Sequence, residues 1–186
     1  MPDAYYMACI DLSGRSVLVV GGGRVALEKV DGLLMSAARV TVVAPQIVPE
    51  LAARDVELIR REYRTEDLDD RFLVVAATST SSVNRRVFRE AEARSLLCNV
   101  VDVPELCSFI LPAVHRQGPI AVAVSTGGAS PALAQRLRDD IATVVRPEHA
   151  VLADQLRELR PWAKSHLPTY EARRDYFAAL VEEALA

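Results

Sequence analysis

The sequence predicts an α/β protein: a parallel sheet covered by helices on both faces, followed by a small helical module. Three observations lead there. A valine-rich run at residues 17–20 passes directly into a glycine turn and a helical pattern. Short apolar runs then alternate with helical spacing as far as residue 101. Beyond Pro131 the apolar residues recur with helical spacing alone.

The first strand, residues 17–20, is followed by Gly21-Gly22-Gly23-Arg24-Val25-Ala26. Gly21 permits a tight turn, Gly23 removes the side chain that would keep the backbone from a pyrophosphate, and Ala26 lets helix and strand pack closely. Free N–H groups and the positive dipole end of the helix favour an anion there. This is the G-x-G-x-x-A form of the dinucleotide fingerprint, and Val25, Ala26, Val30, Leu33 and Leu34 supply the apolar helix it requires. Gly21, Gly23, Arg24 and Val25 are the candidate cofactor contacts; an ordinary strand–helix turn would use the same glycines.

The second strand, residues 40–44, ends differently from a typical NAD site, which places Asp or Glu there for the ribose hydroxyls. Here Ala44-Pro45-Gln46 follows, so Pro45, Gln46 and backbone groups are left to hold the ribose. Charge therefore does not separate NAD from NADP. Arg24 and Arg39 either meet a 2′-phosphate or are simply solvated.

A short helix at residues 49–54 and strands at 56–59, 72–77 and 96–101, with a helix at 83–94, complete the alternation. Ligands bind beyond the carboxyl ends of such strands, which puts Thr78 and residues 99–104 beside the glycine turn. Past Pro104 the texture changes. Residues 108–113 and 120–124 read as two strands joined through His115-Arg116-Gln117-Gly118. Ser130 and Pro131 are the N-cap and first residue of a helix over 131–145 bearing Leu133, Leu137 and Ile141 on one face. Pro147 breaks it, and amphipathic helices follow at 148–160 and 170–185. The expected division is a dinucleotide-binding Rossmann domain at 1–112, a middle segment at 113–146, and a helical module at 147–186.

Composition narrows the function classes. The chain has 186 residues, 51% of them hydrophobic, and a net charge of −3, which gives nonspecific nucleic-acid binding no electrostatic support. No segment reaches the roughly 18 uninterrupted apolar residues of a membrane span. Residues 1–11 lack the basic and apolar regions of a signal peptide. Cys9, Cys98 and Cys107 form an odd set without C-x-x-C spacing, as expected of small buried hydrophobes in a reducing cytoplasm. His115, His149 and His166 stand alone, and no metal ligands are assigned.

The residues resemble a known family, the siroheme-synthase dehydrogenase/ferrochelatase domain. The resemblance is carried by the glycine turn with Lys29, by Ala76-Ala77-Thr78 with Asn84, and by Cys98-Asn99-Val100-Val101-Asp102 with Pro104. Ser108-Phe109 with Pro112-Ala113, and Ser125-Thr126-Gly127-Gly128-Ala129-Ser130-Pro131 with Arg138, complete it over residues 10–145. It implies NAD-dependent oxidation of precorrin-2 to sirohydrochlorin, with insertion of Fe2+ as a further activity of some members, in an intertwined homodimer whose dimerisation and substrate segment is residues 113–146. A fused methyltransferase domain, common in the family, is not expected in a chain of this length.

By resemblance Asp102 is the catalytic general base; by local pattern alone it equally caps the loop before Pro104. Asn99, Thr126, Gly127, Gly128 and Arg138 become candidate contacts for a substrate rich in carboxylates. The glycine loop would also serve as a plain helix cap and turn. Ser79-Thr80-Ser81-Ser82 replaces acidic residues common in relatives, and Leu27-Glu28-Lys29 replaces an arginine–lysine pairing, which weakens the expectation of chelatase activity more than that of the dehydrogenase. Competing readings are an NAD-sensing regulatory domain without turnover and a dedicated chelatase. A sensor would normally keep the acidic ribose residue absent here.

Overall fold

Runs of β-branched residues without polar interruption suit strands buried on both faces, and the valine runs are used that way. In the computed structural model, which describes residues 5–185, β1 (Ser16–Val20), β2 (Arg39–Val43), β3 (Glu57–Ile59), β4 (Leu73–Ala76) and β5 (Leu97–Val100) form one parallel sheet. The start of the segment read for a signal peptide, residues 1–4, lies outside the described residues. Strand order is β3-β2-β1-β4-β5. Alternate residues feed opposite faces: Leu18, Val20, Val43 and Val74 join one apolar cluster, Val17, Val19, Val42 and Val75 the other.

Helices cover both faces. Val87 and Ala91 of α3 (Ser81–Glu92) pack into the first cluster. Ala26 and Val30 of α1 (Arg24–Leu34) and Leu51 of α2 (Pro49–Ala52) pack into the second. Because the chain runs outward from β1 in one direction to β2 and β3, and in the other to β4 and β5, a crevice opens above the carboxyl ends at the reversal.

The crossover from β3 to β4 contains a 3-10 turn, Thr65–Leu68, that the apolar pattern did not announce. It is held by charge. Asp67, 6% exposed, accepts from both terminal nitrogens of Arg61 at 2.8 and 2.5 Å and from the Arg64 N–H at 2.8 Å. Burial pushes its carboxyl up, but the Arg61 and Arg64 donors more than offset this and hold it below the ordinary 3.8. A carboxylate with a lowered folded pKa stabilises fully at neutral pH and loses that contribution as pH falls below its unfolded value. Asp67→Asn should therefore destabilise the fold by about 2 kcal/mol at pH 7, with the gap to wild type closing on acidification through pH ~4, as followed by thermal melts.

The chain divides at Leu111 and Pro112 into two compact units. In the second, β6 (Ala113–Gln117) and β7 (Ile120–Val124) form an antiparallel hairpin, followed by α4 (Pro131–Ala142), α5 (Pro147–His166) and α6 (Tyr170–Leu185). The strand expected at 108–113 lies instead at Ala113–Gln117. A two-residue turn, with Gly118 at φ +55°, pairs Gln117 with Ile120 and so sets the register for the whole hairpin. Residues 108–111 are held elsewhere: Ser108 bonds the Cys98 carbonyl at 2.9 Å through its N–H, and Phe109 packs against a core cluster. His115 is accordingly a strand residue opposite Val122, not part of a connection.

Two boundaries also move. α4 ends at Ala142, where Thr143 turns its hydroxyl back to the Asp140 carbonyl at 2.7 Å. Pro147 opens α5 instead of merely breaking the preceding helix, since a first-turn residue needs no N–H donor. α5 runs through Pro161 to His166, and the turn after the proline is held by Trp162, which stacks on His166 at 4.8 Å and meets Tyr176 of α6 at 5.6 Å.

Candidate functional site

A cleft of about 860 Å³ opens over the carboxyl ends of the parallel strands. Its floor is the glycine turn. Gly21 has φ +131°, a conformation L side chains rarely adopt, and its N–H donates to the Val43 carbonyl at 3.0 Å. A Cβ there would collide with the Ala77 carbonyl oxygen after β4, and one at Gly22 with the Gln46 carbonyl oxygen after β2. Gly22 also accepts from the Val48 N–H at 2.9 Å. Three stretches of backbone thus meet at the turn with no room for a methyl group. Gly23 differs: a Cβ would meet nothing within 4 Å, so the cleft is open above it.

That opening faces the start of α1. Gly23 is its N-cap, no side chain caps the helix, and its first turn has no acidic residue. The first N–H groups and the positive helix end are left for an anionic ligand, as the diphosphate of a dinucleotide requires. Val25, 43% exposed, adds apolar surface beside them. Across the cleft lie Pro45 and Gln46 after β2, Glu62 and Tyr63 after β3, and Thr78, Val83 and Arg86 after β4.

Asn84 shapes the rim after β4. Its Oδ1 accepts from the Thr78 hydroxyl at 2.7 Å and its Nδ2 donates to the Thr78 carbonyl at 3.0 Å, while the Thr80 N–H donates to the same hydroxyl at 3.1 Å. Loss of this bracket frees a cleft wall. Asn84→Ala should weaken NADH binding by about fivefold in a fluorescence titration.

After β5 the backbone turns sharply and Asp102 takes φ +61°, a region Asp tolerates better than most residues. Val101 N–H to the Ala76 carbonyl at 3.0 Å and Val103 N–H to the Val100 carbonyl at 3.2 Å hold the turn. The Cys107 thiol adds contacts to the Val100 and Val103 carbonyls at 3.2 and 3.3 Å. Asp102 lines the cleft, and its carboxylate has no hydrogen-bond or ion-pair partner among the described residues.

The cleft therefore brings together Gly21, Gly23, Arg24, Val25, Pro45, Gln46, Thr78 and Asp102 from the expected set. Asn99 is not in its lining: the side chain is 7% exposed and donates to the Phe109 carbonyl at 3.0 Å. Thr126, Gly127, Gly128 and Arg138 belong to the second unit. There the Thr126 hydroxyl spans the Ser130 N–H and carbonyl at 3.0 and 3.1 Å, Ser130 caps α4 by accepting from Leu133 N–H at 3.2 Å, and Arg138 pairs with Asp139 at 2.6 Å. The motif reading missed Gly22, which occupies a freely variable position of the fingerprint, and also Glu62, Tyr63 and Arg86.

The cysteines divide. Cys98 is buried, and burial pushes its thiol up to about 12; burial also raises that of Cys107. Cys9 is exposed, contrary to the expectation of a buried hydrophobe.

A family described as putative NAD(P)-binding matches residues 8–113. The chain belongs to that family. A second description, sirohaem biosynthesis protein central, matches residues 117–143, so both parts of the expected siroheme-synthase resemblance are present. The siroheme synthase of Thioalkalivibrio sulfidiphilus is 43% identical over 182 residues, 96% of this chain and 37% of that protein. That of Methylobacillus flagellatus is 42% identical over 180 residues, 92% of this chain and 38% of its own length. The chain thus spans little more than a third of these curated relatives. The solved structure described as SirC, precorrin-2 dehydrogenase, superposes with a TM-score of 0.81 at 28% identity, covering 98% of this chain and 93% of that one. Among the described residues no helix is long and apolar enough to cross a membrane.

Proposed function

We propose that this NAD(P)-binding chain oxidises precorrin-2 to sirohydrochlorin with NAD, and that Asp102 is its general base. The observation that carries the reading is the unpartnered Asp102 carboxylate in the same cleft as the uncapped helix start. Gly21, Gly23, Arg24 and Val25 would hold the diphosphate, with Pro45, Gln46 and Thr78 around the adenosine half. Bound there, NAD supplies a two-electron acceptor. The reaction takes two hydrogens from the macrocycle, one of them as a proton, and that proton needs a base at a ring carbon.

Asp102 suits this task because its carboxylate is not engaged elsewhere and its backbone is held on both sides by hydrogen bonds. Asn99 anchors the returning chain at the Phe109 carbonyl, so we assign it to positioning and not to substrate contact. Thr126, Gly127, Gly128 and Arg138 remain our candidates for the substrate carboxylates. A homodimer is supported by Leu133 and Leu137 of α4, which are 51% and 41% exposed in the single chain. Three unpaired cysteines support a reducing cytoplasm.

The purified protein, supplied anaerobically with precorrin-2 and NAD, should yield the absorption spectrum of sirohydrochlorin only when both are present. Fe2+, the substrate of the chelation step some relatives perform, is added afterwards. Sirohydrochlorin consumption faster than without protein would extend the reading to iron insertion, and no product from precorrin-2 would refute it.

A further inference from the structure

The edge after β2, Ala44-Pro45-Gln46, lacks the carboxylate that usually accepts from a ribose 2′-hydroxyl and discriminates against a 2′-phosphate. The fold brings one to that side of the cleft from elsewhere. β3 lies beside β2, with Ile59 opposite Val43, and the Ile59 carbonyl accepts from the Ala44 N–H at 3.1 Å. The chain leaving β3 therefore starts level with this edge, and Glu62 and Gln46 both line the cleft.

The neighbouring residue fixes which way Glu62 faces. Tyr63 is 7% exposed, packs into the core and donates its hydroxyl to Glu90 at 2.7 Å. Glu62 is left exposed, and its carboxylate has no partner among the described residues. Of the cations lining the cleft, Arg86 is already engaged: it bonds Glu90 and Thr65, each at 2.7 Å, and lies over the Tyr63 ring at 5.3 Å. Arg24 is the first residue of α1, next to Gly23, at the position proposed above for the diphosphate.

We infer that Glu62 accepts from the 2′-hydroxyl of the adenosine ribose and repels a 2′-phosphate, so that the cleft selects NAD over NADP. The inference rests on reading the cleft as a dinucleotide site. An ionised carboxylate only accepts hydrogen bonds, so it favours a hydroxyl and opposes a phosphate dianion at the same position. This chain thereby replaces a carboxylate at the end of β2 with one from the crossover after β3.

The test is a fluorescence titration of the full chain with NADH and with NADPH, for wild type, Glu62→Gln and Glu62→Ala. Wild type should bind NADH about tenfold or more tighter than NADPH, and each variant should shrink that ratio about fivefold, weakening NADH and strengthening NADPH. Both variants should melt like wild type, because the side chain is exposed and unpartnered. Equal affinities in wild type, or a ratio unchanged in both variants, would overturn the role of Glu62. Failure of wild type to bind either dinucleotide would instead overturn the cleft assignment, and the inference with it.

Discussion

Asp102→Asn is expected to lower precorrin-2 oxidation by about a hundredfold or more while leaving NADH affinity within about twofold of wild type. The substitution isolates the chemistry. Asparagine is among the few residues that tolerate positive φ, so the turn at φ +61° should survive, whereas alanine would add about 1 kcal/mol of backbone strain. The carboxylate has no partner among the described residues, so removing its charge leaves no buried group unpaired. A loop-capping role predicts the reverse: a lower melting temperature and little change in turnover. Steady-state rates, NADH titration and a thermal melt on one preparation separate the two.

The second large effect concerns Gly22. Gly22→Ala should abolish measurable dinucleotide binding and destabilise the fold by about 3 kcal/mol. Its added methyl would collide with the Gln46 carbonyl oxygen and come within 2.9 Å of the Ala44 side chain. Backbone on both sides cannot yield as a flexible side chain would, because the Val48 N–H is tied to the Gly22 carbonyl at 2.9 Å. Relief of the clash therefore pushes the β2 edge away from the glycine turn and opens the cleft. Gly23→Ala is the internal control: its methyl meets nothing within 4 Å of protein, so stability should hold while NADH affinity falls. Denaturation and NADH titration of both variants check this.

The glycine turn shows what a local motif conveys. Its strand, helix and open anion site were legible because periodicity and a short run of residues specify them. Gly22 was not, since the fingerprint permits any residue there and only the approach of the Gln46 backbone makes it necessary. Glu62 and Arg86 were hidden for a related reason: they come from the β3 and β4 connections, and only sheet order brings them to one cleft. The strand expected at 108–113 was misplaced because apolar content alone was weighed. The two-residue turn at Gly118 decides the pairing, and it sits where the expected connection was drawn. The positive φ of Asp102, by contrast, belongs to a turn held by the Val101–Ala76 and Val103–Val100 backbone hydrogen bonds and has no sequence signature.

The most direct measurement is the stoichiometry of one anaerobic reaction. Purified protein is mixed with precorrin-2 and NAD, and NADH and sirohydrochlorin are quantified together by absorbance. One NADH formed per sirohydrochlorin, with both lost in Asp102→Asn, is the predicted result. NAD binding without NADH formation in the wild-type protein would contradict the dehydrogenase reading and point to a domain that senses the dinucleotide without turning it over.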